Sequence, residues 1–179
     1  MYTIFDWLAK PHIMEFWDNT QAHKDDIIHF TQGRKTPSFY ANGKYLYWIS
    51  FLEREPFAML MTIQETNQED IGQEKIKRLS KTGHTYGLDY TIGNLNFLGK
   101  GHGSKTLSDF IHYCRQSVDP KADTFWVDPA TDNPKAKHVY QKAGFKHVCD
   151  FRLEGNVSGA EKMHHLFIRK LEPTTLRTT

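Results

Sequence analysis

The residues of this chain best spaced for chemistry are Leu98-Gly99-Lys100-Gly101-His102-Gly103-Ser104. Three glycines alternate with larger side chains, and an amphipathic helix is expected immediately after them. Glycine tolerates positive φ and lets the backbone approach a ligand closely. A helix start presents unpaired N–H groups and the positive end of its dipole. Together they make a cradle for a phosphorylated ligand, with a plain turn as the alternative reading of the same glycines. Neither common phosphate template fits. The last glycine spacing is too short for G-x-G-x-x-G, and His102 stands where a P-loop needs lysine. Lys100, Lys105 and Lys137 offer charge that suits phosphates and equally suits a solvated surface.

The elements that must position this loop follow from pattern. Asp6 to Trp17 and Gln21 to Phe30 read as helices. Lys44 to Glu53, rich in aromatic and β-branched residues, reads as a strand; Arg54-Glu55 turn the chain and Pro56 to Gln64 returns as its hairpin partner. Thr66 to Gly83 is polar and charged, a loop or a short helix. His84 to Gly93 is a strand whose internal Gly87 suggests a bulge or a splayed edge. Ser104 to Gln116 is a helix with Leu107, Phe110, Ile111 and Cys114 on one face. Asp123 to Asp128 is a short strand. Asn133 suits an N-cap, Pro134 the first helical position and Gly144 the residue past the helix end at Ala143. Phe145 to Leu153 and Glu161 to Leu171 close the chain as a hairpin. This alternation predicts an α/β protein: a mixed sheet with helices on both faces.

Bulk properties fit a single domain over 1–172 with a frayed tail at 173–179. The 179 residues are 39% hydrophobic and 25% charged, with a net charge of +2. Such a balance points away from nucleic acid and from membrane surfaces. No apolar run is long enough to span a bilayer, and the N-terminus lacks the pattern of a signal peptide. Cys114 and Cys149 are too few for a disulfide framework, so a reducing cytoplasm is expected, with Cys114 a core residue. His164 and His165 are neighbours in a strand and point to opposite faces, and the ten histidines show no metal-binding spacing, so no metal site is expected.

About thirty residues after the glycine loop comes Asp128-Pro129-Ala130-Thr131-Asp132-Asn133-Pro134-Lys135-Ala136, then Val139-Tyr140-Gln141-Lys142-Ala143-Gly144-Phe145. Together with Asp89 and the glycine loop, this ordered set resembles the GNAT superfamily of N-acetyltransferases, which use acetyl-coenzyme A. The cofactor loop there reads Q/R-x-x-G-x-G/A; Gly101 and Gly103 match, and Leu98 departs from the first position. The asparagine, the tyrosine seven residues later and the K-A-G-F helix end are intact. Leu8, Pro11-His12-Ile13-Met14-Glu15-Phe16-Trp17, Arg54-Glu55-Pro56 and Gly87-Leu88-Asp89 further resemble aminoglycoside 6′-N-acetyltransferases of the Ib type. That likeness covers most of the chain outside Thr66 to Gly83.

The resemblance implies a central twisted mixed sheet in which two parallel strands, here His84 to Gly93 and Asp123 to Asp128, splay apart for the cofactor. It assigns pantetheine and thioester contacts to the backbone at Tyr90, Thr91 and Ile92. The pyrophosphate falls to Leu98, Gly99, Lys100, Gly101, His102, Gly103 and Ser104, with Asn133, Lys137 and Tyr140 completing the cofactor set. Asp89 is the acid beside the reacting amine, or a strand-edge salt-bridge carboxylate. Tyr140 meets the departing sulfur, or packs as an aromatic on the cofactor helix. Trp17, Trp48, Asp89 and Asp128 are the substrate-pocket residues, the tryptophans being equally readable as core, and Asp132 adds to the acid there. Within Thr66 to Gly83, Glu69, Asp70 and Glu74 are opposed by Lys75, Lys77, Arg78 and Lys81, a mixed charge that clamps a polycation poorly. The expected reaction is acetyl transfer to a small-molecule amine, foremost the 6′-amine of an aminoglycoside, by a monomer or homodimer. The alternatives are an acyltransferase for siderophore-precursor or lysine-type amines, and a non-catalytic module that binds coenzyme A.

Overall fold

The computed structural model describes residues 2–35, 38–66, 71–152 and 162–172. They fall into two compact units: Met1–Ile63 with Asp89–Gly103, and Gln64–Leu88 with Ser104–Thr179. The expectations for Glu69, Asp70, Leu153, Glu161 and the tail 173–179 lie outside the described residues.

The first unit begins with α1 (Tyr2–Leu8), α2 (Pro11–Met14) and α3 (Gln21–Thr31). The single helix expected over Asp6 to Trp17 is thus two. Proline disfavours the α conformation in the residue before it, and Lys10 is accordingly extended, at φ −79° and ψ 137°. Thr20 caps α3, its hydroxyl oxygen accepting the His23 N–H at 3.3 Å. β1 (Leu46–Leu52) and β2 (Glu55–Glu65) form an antiparallel hairpin. Its two-residue turn is Glu53-Arg54, one position before the expected turn, with φ of 47° and 73°. Positive φ at both central positions matches the twist of the flanking strands. Ile4, Trp7, Leu8, Ile13, Ile27, Tyr47, Met59 and Met61 form this unit's buried cluster.

The second unit holds α4 (Gln73–Ile76), α5 (His102–Tyr113, from Ser104 on), β4 (Ala122–Val127), α6 (Pro134–Lys142), β5 (Lys146–Arg152) and β6 (Met163–Lys170). α5 starts two residues earlier than expected, so His102 and Gly103 belong to the helix. It runs into a wider π-type turn over Cys114–Val118. β4 is buried at all six positions, as its apolar TFWV run requires. Asn133 caps α6 by accepting the Ala136 N–H at 3.0 Å, and Gly144 ends it at φ +85°. Trp126, Leu166 and Ile168 make a core cluster against Ile71, Leu79, Cys149 and Phe151.

β3 (His84–Ile92) contributes its first half to the second unit and its last four residues to the first. The sheet is mixed, with strand order β1-β2-β3-β4-β6-β5. β3 and β4 run parallel, whereas the β1–β2, β4–β6 and β5–β6 pairs are antiparallel. No helix among the described residues is long and apolar enough to cross a membrane.

Candidate active site

The parallel ladder of β3 with β4 ends at Gly87↔Trp126, while β3 itself runs on to Ile92. Beyond that point, in the first unit, side chains hold the backbone. His12 Nε2 is hydrogen-bonded to the Ile92 carbonyl and Lys10 Nζ to the Gly93 carbonyl, each at 3.1 Å. The Gly93 N–H donates to Phe57 O at 2.9 Å. A Cβ at Gly93 would sit 1.9 Å from the ring of buried Trp7, so only glycine lets the strand pass.

The chain then makes a short turn over Leu95–Phe97, started by the Asn94 side chain accepting the Asn96 N–H at 3.0 Å. Gly99 and Gly101 follow with φ of +72° and +81°, and a Cβ at either position would meet nothing within 4 Å. The turn is therefore open, and its backbone can be approached from outside. Leu98 and Lys100 are exposed, whereas the His102 ring lies against Phe57 and Phe97, at 5.8 and 5.6 Å between ring centres.

Asp89 and Tyr90 to Ile92 are half-buried in the same unit. Tyr40, a residue that sequence reading did not single out, lies within electrostatic reach of Asp89. The Tyr40 phenol is pushed far up by burial, by its hydrogen bond to Asp18 and by neighbouring charges that include Asp89. Its hydroxyl donates to Asp18 Oδ2 at 2.7 Å, and Thr20 Oγ1 donates to the other oxygen at 2.7 Å. Burial alone would raise the Asp18 pKa; the bonds from His23, Thr20 and Tyr40 outweigh it and hold the carboxyl well below its ordinary range. The His23 and Tyr40 rings stack 4.5 Å apart and 2° from parallel, with Trp17 next to His23 at 6.4 Å. Trp17 is thus both a stacking aromatic and a partner of the core. Trp48 is half-buried, its indole N–H donating to Thr62 Oγ1 at 3.0 Å. His12, Lys10 and Tyr40 were missed because their partners lie far off in sequence; the only sequence signal was the Pro11-His12 segment.

The second unit carries the remaining expected residues. Ser104 is buried in the first turn of α5, Asn133 acts as the α6 cap, and Lys137 is half-buried on that helix. Tyr140 is 7% exposed and meets Phe145 edge to face, at 6.1 Å. Lys105 is paired with Asp109 at 2.6 Å. Asp128 is bound to Lys75 at 3.0 Å in a mostly buried ion pair. The same ammonium lies over the rings of Trp126 and Phe151, at 5.7 and 5.6 Å. Cys114 is buried, and burial pushes its thiol up to about 12, the state of a core residue rather than a nucleophile.

Comparison with known proteins reads the same way. The aminoglycoside N(6′)-acetyltransferase type 1 of Klebsiella pneumoniae is 26% identical over 143 residues, 80% of this chain and 67% of that protein. The solved aminoglycoside N(6′)-acetyltransferase of Legionella pneumophila superposes with a TM-score of 0.69 at 23% identity, covering 94% of this chain and 85% of that one. A structure of AAC(6′)-Ib in complex with coenzyme A and kanamycin superposes with a TM-score of 0.68 at 21% identity, covering 95% and 88%. Residues 1–153 match the acetyltransferase (GNAT) domain family, and with the six-stranded mixed sheet, the β3–β4 ladder that stops at Gly87 and the open glycine turn, the chain belongs to the GNAT acetyltransferases.

Proposed function

We propose that this chain transfers an acetyl group from acetyl-coenzyme A to the 6′-amine of an aminoglycoside. The names of its relatives, among them aminoglycoside N(6′)-acetyltransferase type 1 and a kanamycin resistance protein of Rhizobium radiobacter, favour that acceptor. The observation that carries the reading is the open turn at Gly99 and Gly101, reached from the end of β3 that the β4 ladder leaves free. A diphosphate bound to main chain needs a turn without bulk, which is what these glycines leave. When bound, acetyl-coenzyme A supplies an activated thioester and a thiolate leaving group. Lys100 to Ser104 would hold its phosphates, and backbone N–H groups of Tyr90 to Ile92 would polarise the acyl carbonyl in the manner of an oxyanion hole.

Asp89 orients the acceptor ammonium and takes its proton. Ordinary pKa values of ~3.9 and ~10.4 make full transfer before attack uphill by about 9 kcal/mol. Transfer therefore comes late, once the nitrogen has begun to bond to carbon and become acidic. Tyr140 donates a hydrogen bond to the departing sulfur. A phenol near ~10 has little drive to protonate a thiolate near ~8.5, so this bond acts by stabilising charge. Trp17 and Trp48 offer faces for a sugar ring, and Asp128 serves a cationic acceptor only by exchanging its Lys75 partner. Two free cysteines suit a reducing compartment, and we place the reaction in the cytoplasm, in a monomer or homodimer.

A thiol-release assay across kanamycin-type aminoglycosides, lysine-type amines and peptide N-termini tests the proposal. Turnover is expected on the aminoglycosides. Turnover confined to lysine-type amines would move the chain to siderophore-type acylation. Tight binding of acetyl-coenzyme A by calorimetry with no turnover on any amine would make it a non-catalytic module.

A further inference from the structure

We propose that His147, Asp150 and His165 form a binding site for a divalent transition-metal ion of the zinc class, outside the residues assigned to acetyl transfer. The site is a product of strand register. His147 pairs with Phe167 and Cys149 with Leu166, so two steps along β5 match one along β6. In a regular strand, residues 147 and 150 would point to opposite faces. The extra residue at Val148 resets the alternation and brings them to one face. Asp150 pairs across the hairpin with His165, which adds the third group to that face.

The geometry is close to what a metal needs. His147 Nε2 lies 2.7 Å and His165 Nδ1 2.5 Å from the same oxygen, Asp150 Oδ1. All three ligand atoms fall within 4.8 Å of one another. Tetrahedral coordination at ~2.0–2.1 Å places ligand atoms about 3.3 Å apart, so seating an ion opens each nitrogen–oxygen spacing by less than ~1 Å. The fully buried Phe167 stands behind both imidazoles, with ring centres 5.3 and 5.9 Å away, and limits their rotation. His147 and Asp150 are 42% and 43% exposed and His165 is 13% exposed, which leaves one side open to water as further ligand. Two imidazoles and a carboxylate suit zinc, cobalt, nickel or copper rather than calcium or magnesium. His164 takes no part: its Nδ1 bonds to the Asp128 carbonyl at 2.6 Å. The absence of a metal set expected from histidine spacing is revised here, because 147, 150 and 165 converge only through the bulge.

The test is calorimetric titration of the full chain with zinc chloride in a Cys149→Ser background, which removes the nearby thiol. One equivalent per chain is expected. His165→Asn and His147→Asn should each weaken binding by at least about tenfold, while His138→Asn, on α6, leaves it unchanged. Circular dichroism of the metal-free variants checks their fold. On the chain with its histidines intact, zinc should move the imidazole NMR signals of His147 and His165 and spare those of His112 and His138. No stoichiometric binding, unaltered binding in both hairpin variants, or signals that move at other histidines would overturn the proposal.

Discussion

Asp89 and Lys75 carry the two sharpest expectations at the scale of single residues. If Asp89 holds and deprotonates the amine, Asp89→Ala should lower turnover by at least about tenfold while leaving acetyl-coenzyme A affinity unchanged by calorimetry, since removing a positioned base costs ~10²–10⁴ in rate. Equal loss of cofactor affinity would make Asp89 a structural carboxylate. Lys75 makes the opposite case. It neutralises Asp128 inside the second unit, so a carboxylate that the sequence resemblance gives to the substrate is already occupied. Lys75→Ala should therefore lower the KM for a polycationic aminoglycoside several-fold and leave the KM for a monoamine unchanged; an unchanged KM for both would remove Asp128 from the substrate set. Asp89 and Tyr140 could be proposed from sequence because short motifs surround them. The Lys75–Asp128 pair was not, since it joins residues 53 positions apart and the local charge of Thr66 to Gly83 says only that cations are available.

At the scale of elements, the decisive feature is the stretch from the end of β3 through the glycine turn. Glycine does two different jobs there. At Gly93 it is needed for space, because a Cβ would run into Trp7. At Gly101 it is needed for conformation, because φ is +81° while an added Cβ would meet nothing within 4 Å. The two should separate by experiment. Gly93→Ala should cost about 1–3 kcal/mol in urea unfolding, since overpacking forces a buried ring to shift. Gly101→Ala should cost about 1–2 kcal/mol, the strain of an alanine held at positive φ, and also weaken acetyl-coenzyme A binding, which Gly93→Ala should spare. Parallel losses in both variants would count against the turn as a cofactor cradle. The pattern of strands and helices could be read from hydrophobic period and capping residues, as Asn133-Pro134 and Gly144 show. What escaped was register. The hairpin turn lies one residue earlier than expected, and the bulge at His147/Cys149 depends on the partner strand and leaves no mark in β5's own sequence.

Over the whole molecule, charge groups in each unit set a common response to acid. Asp18 in the first unit, and Asp119 and Asp123 in the second, all have pKa values lowered in the fold. For each, burial works against the charged form, and hydrogen bonds reverse the balance: His23, Thr20 and Tyr40 for Asp18; His84, the Lys121 N–H and Tyr86 for Asp119; Ser80, Thr82 and Thr124 for Asp123. A carboxylate with a lowered pKa binds protons more weakly folded than unfolded. Its stabilising contribution is complete above the unfolded value of ~3.9 and is lost as pH falls through the folded value. The melting temperature should accordingly hold level above about pH 5 and drop steeply below about pH 4. Asp119→Asn should lower stability at neutral pH, because His84 Nδ1 and the Tyr86 hydroxyl lose a charged acceptor at 2.7 and 3.0 Å. The same variant should flatten the acid limb, because one proton fewer is taken up on unfolding. Thermal melts at pH 7 and at pH 3 resolve the two effects: the gap between wild type and Asp119→Asn must narrow as pH falls, and a gap that stays constant would mean that Asp119 stabilises the fold by packing and not by its charge.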